Sequence, residues 1–194
     1  NVKKFYVADY LPSGQDPSNV NTNAAQSLVL KDIVASYGYQ VLLGGARRDE
    51  DKARSKEHVF SHRDADGGWK PENQRLEYFG FCTDLRLEEK EHFRVFPLSN
   101  WLEADVWEYI DEFDVKIPSM YFAHERAGYS EPVRFRTIGD MKVTKPIKSN
   151  AKDAFAIWAE LVSARREHAL SERGATRMDD KALSLEERKR QGYF

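Results

Sequence analysis

Tyr39-Gln40-Val41-Leu42-Leu43-Gly44-Gly45-Ala46-Arg47-Arg48-Asp49-Glu50-Asp51-Lys52-Ala53-Arg54-Ser55-Lys56 is the stretch on which the fold turns. Its first five residues read as a strand, and two glycines stand where that strand would leave a sheet. Glycine lets the backbone turn sharply and lets a ligand approach it closely. Upstream, Leu30, Ile33, Val34 and Tyr37 share one helical face, Asn23 with Gln26 forms a capping-box pattern, and Gly38 is a C′ stop. Phe5-Tyr6-Val7-Ala8 reads as an earlier strand, followed by a Ser-, Asn-, Gly- and Pro-containing loop over 12–23. Strand, loop, helix, strand is the unit of a parallel sheet. The expected class is therefore α/β, layered α/β/α with a mostly parallel sheet.

Downstream, residues 61–92 are polar and irregular, with Asp66-Gly67-Gly68 and Lys70-Pro71 as turn signals, and read as a long loop excursion. Phe93-Arg94-Val95-Phe96-Pro97-Leu98 is a strand candidate. Asn100 with Glu103 reads as the cap of a helix whose apolar stripe is Leu102, Val106, Ile110 and Phe113. Trp101 and Trp107 read as core or rim packing. Val133-Arg134-Phe135-Arg136-Thr137-Ile138-Gly139 alternates as a strand with its arginines on one face. That face is either simply wet or aimed at an anion. From Asn150 a helix carries Phe155, Trp158, Leu161 and Val162, and Ser184-Leu185-Glu186-Glu187 opens a short charged one. The expected division is 1–145 as part of a nucleotide-binding α/β domain and 146–194 as a helical C-terminal extension. The chain begins at Asn1, tight against its first strand, which predicts further residues upstream.

Composition narrows the function. A 41% hydrophobic content with 4 Trp, 9 Tyr and 11 Phe supports a core, and a net charge of −2 argues against a nucleic-acid partner. No apolar run approaches the roughly 18 residues of a membrane span. The single cysteine, Cys82, excludes an intrachain disulfide framework and a cysteine-rich zinc site, so a reducing cytoplasm is the expected compartment. His58 and His62 lie four apart without a third ligand, so no metal site is expected. The nucleotide patterns G-x-G-x-x-G and G-x-x-x-x-G-K-[ST] are absent. Arg47, Arg48, Lys52, Arg54 and Lys56 suit a phosphate chain or an oxyanion, yet Asp49, Glu50 and Asp51 cancel part of that field, as in a solvated charge run.

Several blocks together carry a family resemblance. They are Gly44 to Glu50 with Lys52, Arg54, Lys56 and Glu57; Asn73-Gln74-Arg75; Arg94 to Trp101; Ile117 to Arg126; Val133 to Asp140; Ser171 to Arg177; and Lys189 to Phe194. In this order they resemble the small, catalytic subunit of two-subunit sulfate adenylyltransferases, in the adenine-nucleotide α-hydrolase-like group. Two segments of that family are missing from this sequence: the S-G-G-K-D-S phosphate loop and the D-T-G-W segment after it. The chain is also shortened between Arg126 and Val133. It corresponds to roughly the C-terminal two-thirds of such a subunit, and the favoured expectation is a longer protein of which these are the ordered residues.

The resemblance implies adenylyl transfer from ATP, with Mg2+, to sulfate, giving adenosine 5′-phosphosulfate and pyrophosphate. It implies Arg47 and Arg48 on one anion and Arg134 and Arg136 on the other. Gly44 and Gly45 would let the nucleotide approach, Lys52 and Arg54 would stand near the cleft mouth, and Asp49 or Glu50 would orient the arginines. It also implies a larger partner subunit hydrolysing GTP; the 61–92 excursion and the C-terminal tail are this sequence's candidate docking faces for it. Two rivals stay open: a degenerate, non-catalytic partner-binding subunit, and an adenylyl-sulfate or phosphoadenylyl-sulfate reductase, which needs a nucleophilic cysteine.

Overall fold

A computed structural model of the chain describes residues 3–10, 22–50, 52–79, 81–139 and 144–166. Asp140, the last residue of one family block, and the segments beyond 166, including the helix at Ser184, lie outside the described residues. The described residues fall into two compact units, one within 1–44 and 58–97, the other within 45–57 and 98–184.

In the first unit, α1 (Thr22–Tyr37) is followed by β1 (Val41–Leu43), β2 (Phe60–Arg63), a hairpin of β3 (Glu77–Tyr78) and β4 (Phe81–Cys82), and β5 (His92–Val95). The sheet order is β1-β5-β2. β1 runs parallel to β5 with Val41 opposite Phe93, which is the crossover the sequence calls for. β2 runs antiparallel to β5, placing Ser61 opposite Arg94 and Arg63 opposite His92, so the described sheet is mixed and the class is α/β. α1 buries Ala25, Val29 and Ile33, one residue round from the expected face, and Tyr37 is exposed. Helical residues already at Thr22 place Asn23 inside the helix, so it is not the cap. Gly38 does end the helix, at φ +62°. The expected strand at 5–8 is a 3₁₀ turn, Val7–Tyr10. The Asp9 amide donates to the Tyr6 carbonyl at 3.0 Å, closing the turn. The polar excursion is likewise more ordered than its composition suggests, since β2 occupies its first residues.

In the second unit, α2 (Lys52–Ser55) precedes α3 (Glu103–Glu112), β6 (Val133–Arg134), β7 (Ile147–Lys148) and α4 (Ala154–Arg166). α3 and α4 pack around Ala104, Trp107, Ala151, Ala154, Ile157 and Leu161, confirming Trp107 as core. The α3 stripe therefore runs through Ala104 and Trp107, while Phe113 is exposed. Asn100 does not cap α3. The N-cap is Leu102, whose amide donates to the Asp105 carboxylate at 2.8 Å. α4 opens four residues later than expected because Asp153 is its cap, accepting from the Ala156 amide at 2.8 Å. β6 pairs antiparallel with β7, Val133 opposite Lys148 and Arg134 opposite Ile147. It is two residues long and fully buried, so the expected half-wet strand over 133–139 is not formed.

Candidate functional site

Of the two glycines, Gly44 is fixed by a close approach: a Cβ there would stand 2.8 Å from the Phe96 ring. Its amide donates to the Val95 carbonyl at 2.9 Å, extending the β1–β5 pairing by one step. Gly45 has open space around it.

The chain then enters the second unit, where the loop arginines have distinct tasks. Arg47 is buried; its Nε donates to Asp49 Oδ1 at 3.0 Å and its Nη1 lies 3.3 Å from Glu50 Oε1. Two of the acids that half-cancel this run in the sequence, Asp49 and Glu50, are thus its own partners. Arg48 works as a brace. Its amide donates to the Ser99 carbonyl at 2.9 Å, its Nε to the Glu57 carbonyl at 3.2 Å, and its Nη1 to Asn100 Oδ1 at 2.5 Å. Arg54 Nη1 lies 3.8 Å from the carboxylate of Glu57, itself buried, and Lys52 is the first residue of α2.

The loop is joined to the second arginine pair through α3. Asp49 Oδ2 accepts from the Glu103 amide at 2.7 Å, capping the exposed N-terminal donor of that helix. The Glu103 carboxylate turns to Arg136, taking Nε on Oε1 at 3.2 Å and Nη2 on Oε2. Two parallel N–H···O bonds to one carboxylate set the guanidinium plane as well as its position. Arg134, only 2% exposed, donates from Nε to Ser149 Oγ and to Glu160 Oε2, both at 3.2 Å. Burial draws its pKa below the ordinary arginine value, against the opposing pull of Glu160 and Glu103. A guanidinium with so high an intrinsic value stays charged regardless.

The structure therefore brings Arg47, Asp49, Glu103 and Arg136 into one chain of contacts, and Arg134 feels both Glu103 and Arg136. Burying several cations is costly unless each is paired, and the carboxylates supply that pairing. Two nitrogens are left over: Arg47 Nη2 and Arg134 Nη1 are buried with no hydrogen-bond partner. Unfilled N–H donors on fixed guanidinium groups suit an oxyanion. Sequence reasoning missed Glu103, Glu160 and Ser149 as partners of Arg136 and Arg134. Glu103 had been read only as a helix cap, and Glu160 carries no local signal.

Among the described residues, no group of three or more His, Cys, Asp and Glu could hold a metal ion. His62 lies on the strand β2, so the four-residue spacing from His58 does not place the two on one helical face. Cys82 lies on β4 and donates its thiol to the Asp84 carbonyl at 3.2 Å. No helix among the described residues is long and apolar enough to cross a membrane.

Comparison with known proteins places these contacts in a family context. The profile of the phosphoadenosine phosphosulfate reductase domain matches residues 20–146. Across 97% of the chain, 38% identity is found to "Sulfate adenylyltransferase subunit 2" of Streptomyces lavendulae, covering 66% of that protein. The protein of the same name from Mycobacterium tuberculosis is 40% identical over 97% of the chain and 67% of its own length. That of Mycolicibacterium gilvum is 39% identical with the same coverage. The chain thus spans about two thirds of the length of these relatives. The alignments extend over 214 and 213 positions against the 194 residues of the chain, so the relatives carry segments that this chain lacks.

Proposed function

The chain belongs to the phosphoadenosine phosphosulfate reductase domain family, alongside the sulfate adenylyltransferase subunit 2 proteins, and on that premise we propose that its arginine cluster serves adenylyl transfer from ATP to sulfate. A sulfate oxygen attacks the α-phosphorus of ATP, the bond from that phosphorus to the bridging oxygen breaks, and pyrophosphate leaves with the electron pair. Adenosine 5′-phosphosulfate is the product. Sulfate is fully ionised at neutral pH, so no general base is required. What the step requires is fixed positive charge, on the incoming dianion and on the leaving pyrophosphate.

The observation that carries this reading is the pair of buried nitrogens without partners, Arg47 Nη2 and Arg134 Nη1, on guanidinium groups held by carboxylates. Arg47 serves one anion, and Arg134 with Arg136 the other. Arg48 holds the loop, Asp49 and Glu50 aim Arg47, and Glu103 aims Arg136. Gly44 and Gly45 would let the nucleotide approach the backbone, and Lys52 and Arg54 would add positive charge for its phosphates. Mg2+ accompanies ATP as the counter-ion of its phosphates.

Making the mixed anhydride is strongly uphill, and hydrolysis of GTP on a larger partner subunit supplies the driving force. The reaction takes place in the cytoplasm. The test is formation of adenosine 5′-phosphosulfate from ATP and radiolabelled sulfate by the whole protein with its companion subunit and GTP. Labelled product is expected, and its absence in the presence of a folded complex would overturn the assignment.

The name of the matching domain family raises the reductase reading as well, which requires a nucleophilic thiol. Cys82 is the sole cysteine of the chain, engaged with a backbone carbonyl in a hairpin. Cys82→Ser is therefore expected to retain wild-type turnover, and loss of turnover in a folded variant would favour the reductase.

A further inference from the structure

Ser149 directly follows β7, and the backbone around it is held from two sides. Its amide donates to the Pro132 carbonyl at 3.1 Å, continuing the β6–β7 pairing, and two residues on the Ala151 carbonyl accepts from the Ala123 amide at 2.7 Å. Ser149 itself is buried. A hydroxyl has one proton to donate and two lone pairs with which to accept. Here all three are used. The lone pairs take the Ala151 amide at 3.1 Å and Arg134 Nε at 3.2 Å, and the proton goes to Glu160 Oε1 at 2.5 Å. The bond to the amide two residues on is a serine turn, which holds Oγ through the local backbone. With both lone pairs filled, the direction of the hydroxyl proton is set toward Glu160.

That direction matters because the Glu160 side chain is 37% exposed. Its backbone is anchored in α4, where Ile157 and Leu161 are buried, but water reaches the carboxylate. A carboxylate so exposed is by itself a loose hold on a buried cation. Ser149 occupies Oε1 and thereby fixes the plane of the group. Oε2 is left to Arg134, whose Nε donates to it at 3.2 Å and whose Nη2 also stands 3.2 Å away. Nε and Nη2 share one edge of the planar guanidinium, so clamping that edge fixes the direction of the remaining nitrogen. The remaining nitrogen is Nη1, buried and without a hydrogen-bond partner.

We propose that Ser149 is a positioning residue for the reaction: by holding Glu160 Oε1 and Arg134 Nε on one hydroxyl, it aims Arg134 Nη1 at the bound anion. The proposal rests on the adenylyltransferase reading above and adds what sets the direction of the Arg134 donor. Glu160 supplies the opposite charge, and Ser149 supplies the orientation. A hydroxyl that served the fold alone would leave substrate affinity unchanged when removed. One that aims a donor would change it.

The test uses the whole protein with its companion subunit and GTP, and reads kcat together with the KM for ATP and the KM for sulfate. Ser149→Ala is expected to raise the KM of the substrate whose anion Arg134 holds by about 10-fold, the scale of a misplaced donor. Ser149→Thr keeps the hydroxyl and is expected to return that KM to the wild-type value. Glu160→Gln, at a partly exposed position, is the second variant should Ser149→Ala not fold, and the same KM is expected to rise. A fall in kcat with both KM values unmoved is what a smaller folded fraction produces, and it would overturn the proposal. So would a rise in Ser149→Thr as large as in Ser149→Ala. In either case normal turnover by the wild-type complex leaves the adenylyltransferase reading standing. If the wild-type complex makes no adenosine 5′-phosphosulfate, that reading falls and takes the proposal with it.

Discussion

The loop arginine Arg47 and the pair Arg134 and Arg136 solve the same problem in different ways. Arg47 finds its carboxylates two and three residues along the chain, in Asp49 and Glu50. Arg134 and Arg136 find theirs in Glu160 and Glu103, 26 and 33 residues away. Local pairing lets the loop carry its charge balance with it, so the guanidinium of Arg47 is aimed by a short segment. Distant pairing makes the aim of Arg134 and Arg136 depend on the packing of α3 and α4. The two arrangements meet at the start of α3, where Asp49 caps the Glu103 amide and the Glu103 carboxylate holds Arg136. With this join, neither pair can shift without disturbing the other.

The largest expected effect comes from the loop. Arg47→Ala should lower adenylyl transfer by about 100-fold or more, the scale for a lost transition-state anion donor, with the fold intact by circular dichroism. Near-normal turnover would show that the local pairing serves structure alone. Glu103→Gln breaks the join and keeps the shape of the side chain. It should cost about 10-fold in turnover through misplacement of Arg136, with Arg47 still held by Asp49. A loss as large as that of Arg47→Ala would mean that Arg47 loses its aim together with Arg136.

A pH series provides a control in the other unit. Burial, then Arg94 and Arg63, push His92 down to about 4 from its ordinary 6.5. The folded protein keeps this ring neutral while the unfolded chain takes up a proton, so stability present above pH 6.5 is lost as pH falls from 6.5 towards 4. The slope is at most about 1.4 kcal/mol per pH unit for one proton, and His92→Gln should flatten it in chemical denaturation. An unchanged slope would show that His92 protonates without resistance. The smallest effect is expected from Asp105→Ala, which removes the acceptor for the Leu102 amide. A loss of about 1 kcal/mol of stability with unchanged turnover is predicted, and a marked fall in turnover would place the α3 terminus nearer the chemistry.

Legibility in the sequence followed the range of each interaction. The β1 strand, the Gly38 stop and the parallel relation to β5 depend on local periodicity and turn residues, and all were readable. Strand β2 was not, because Ser61, His62 and Arg63 are all buried and their polar chemistry imitates a loop. Helix starts were displaced because Asp153 and Asp105 do the capping, and several residues near each start have capping side chains. The Arg47–Asp49 pair could be anticipated from spacing. The Glu103–Arg136 and Arg134–Glu160 pairs could not, since nothing in the sequence brings together residues so far apart. The alternation at Val133 to Gly139 left the arginine face either wet or aimed at an anion, and did not show that distant carboxylates hold Arg134 and Arg136.

The central claim is that Arg47, Arg134 and Arg136 act as one unit on the two anions, joined through Glu103. Its most direct test is a double-mutant cycle on kcat/KM for adenylyl transfer, with Arg47→Ala, Arg136→Ala and the double variant in the complex with the companion subunit. Groups acting as a unit are strongly non-additive. The double variant is predicted to fall within about 10-fold of the worse single variant. Losses that simply multiply would show two independent arginines and contradict the claim.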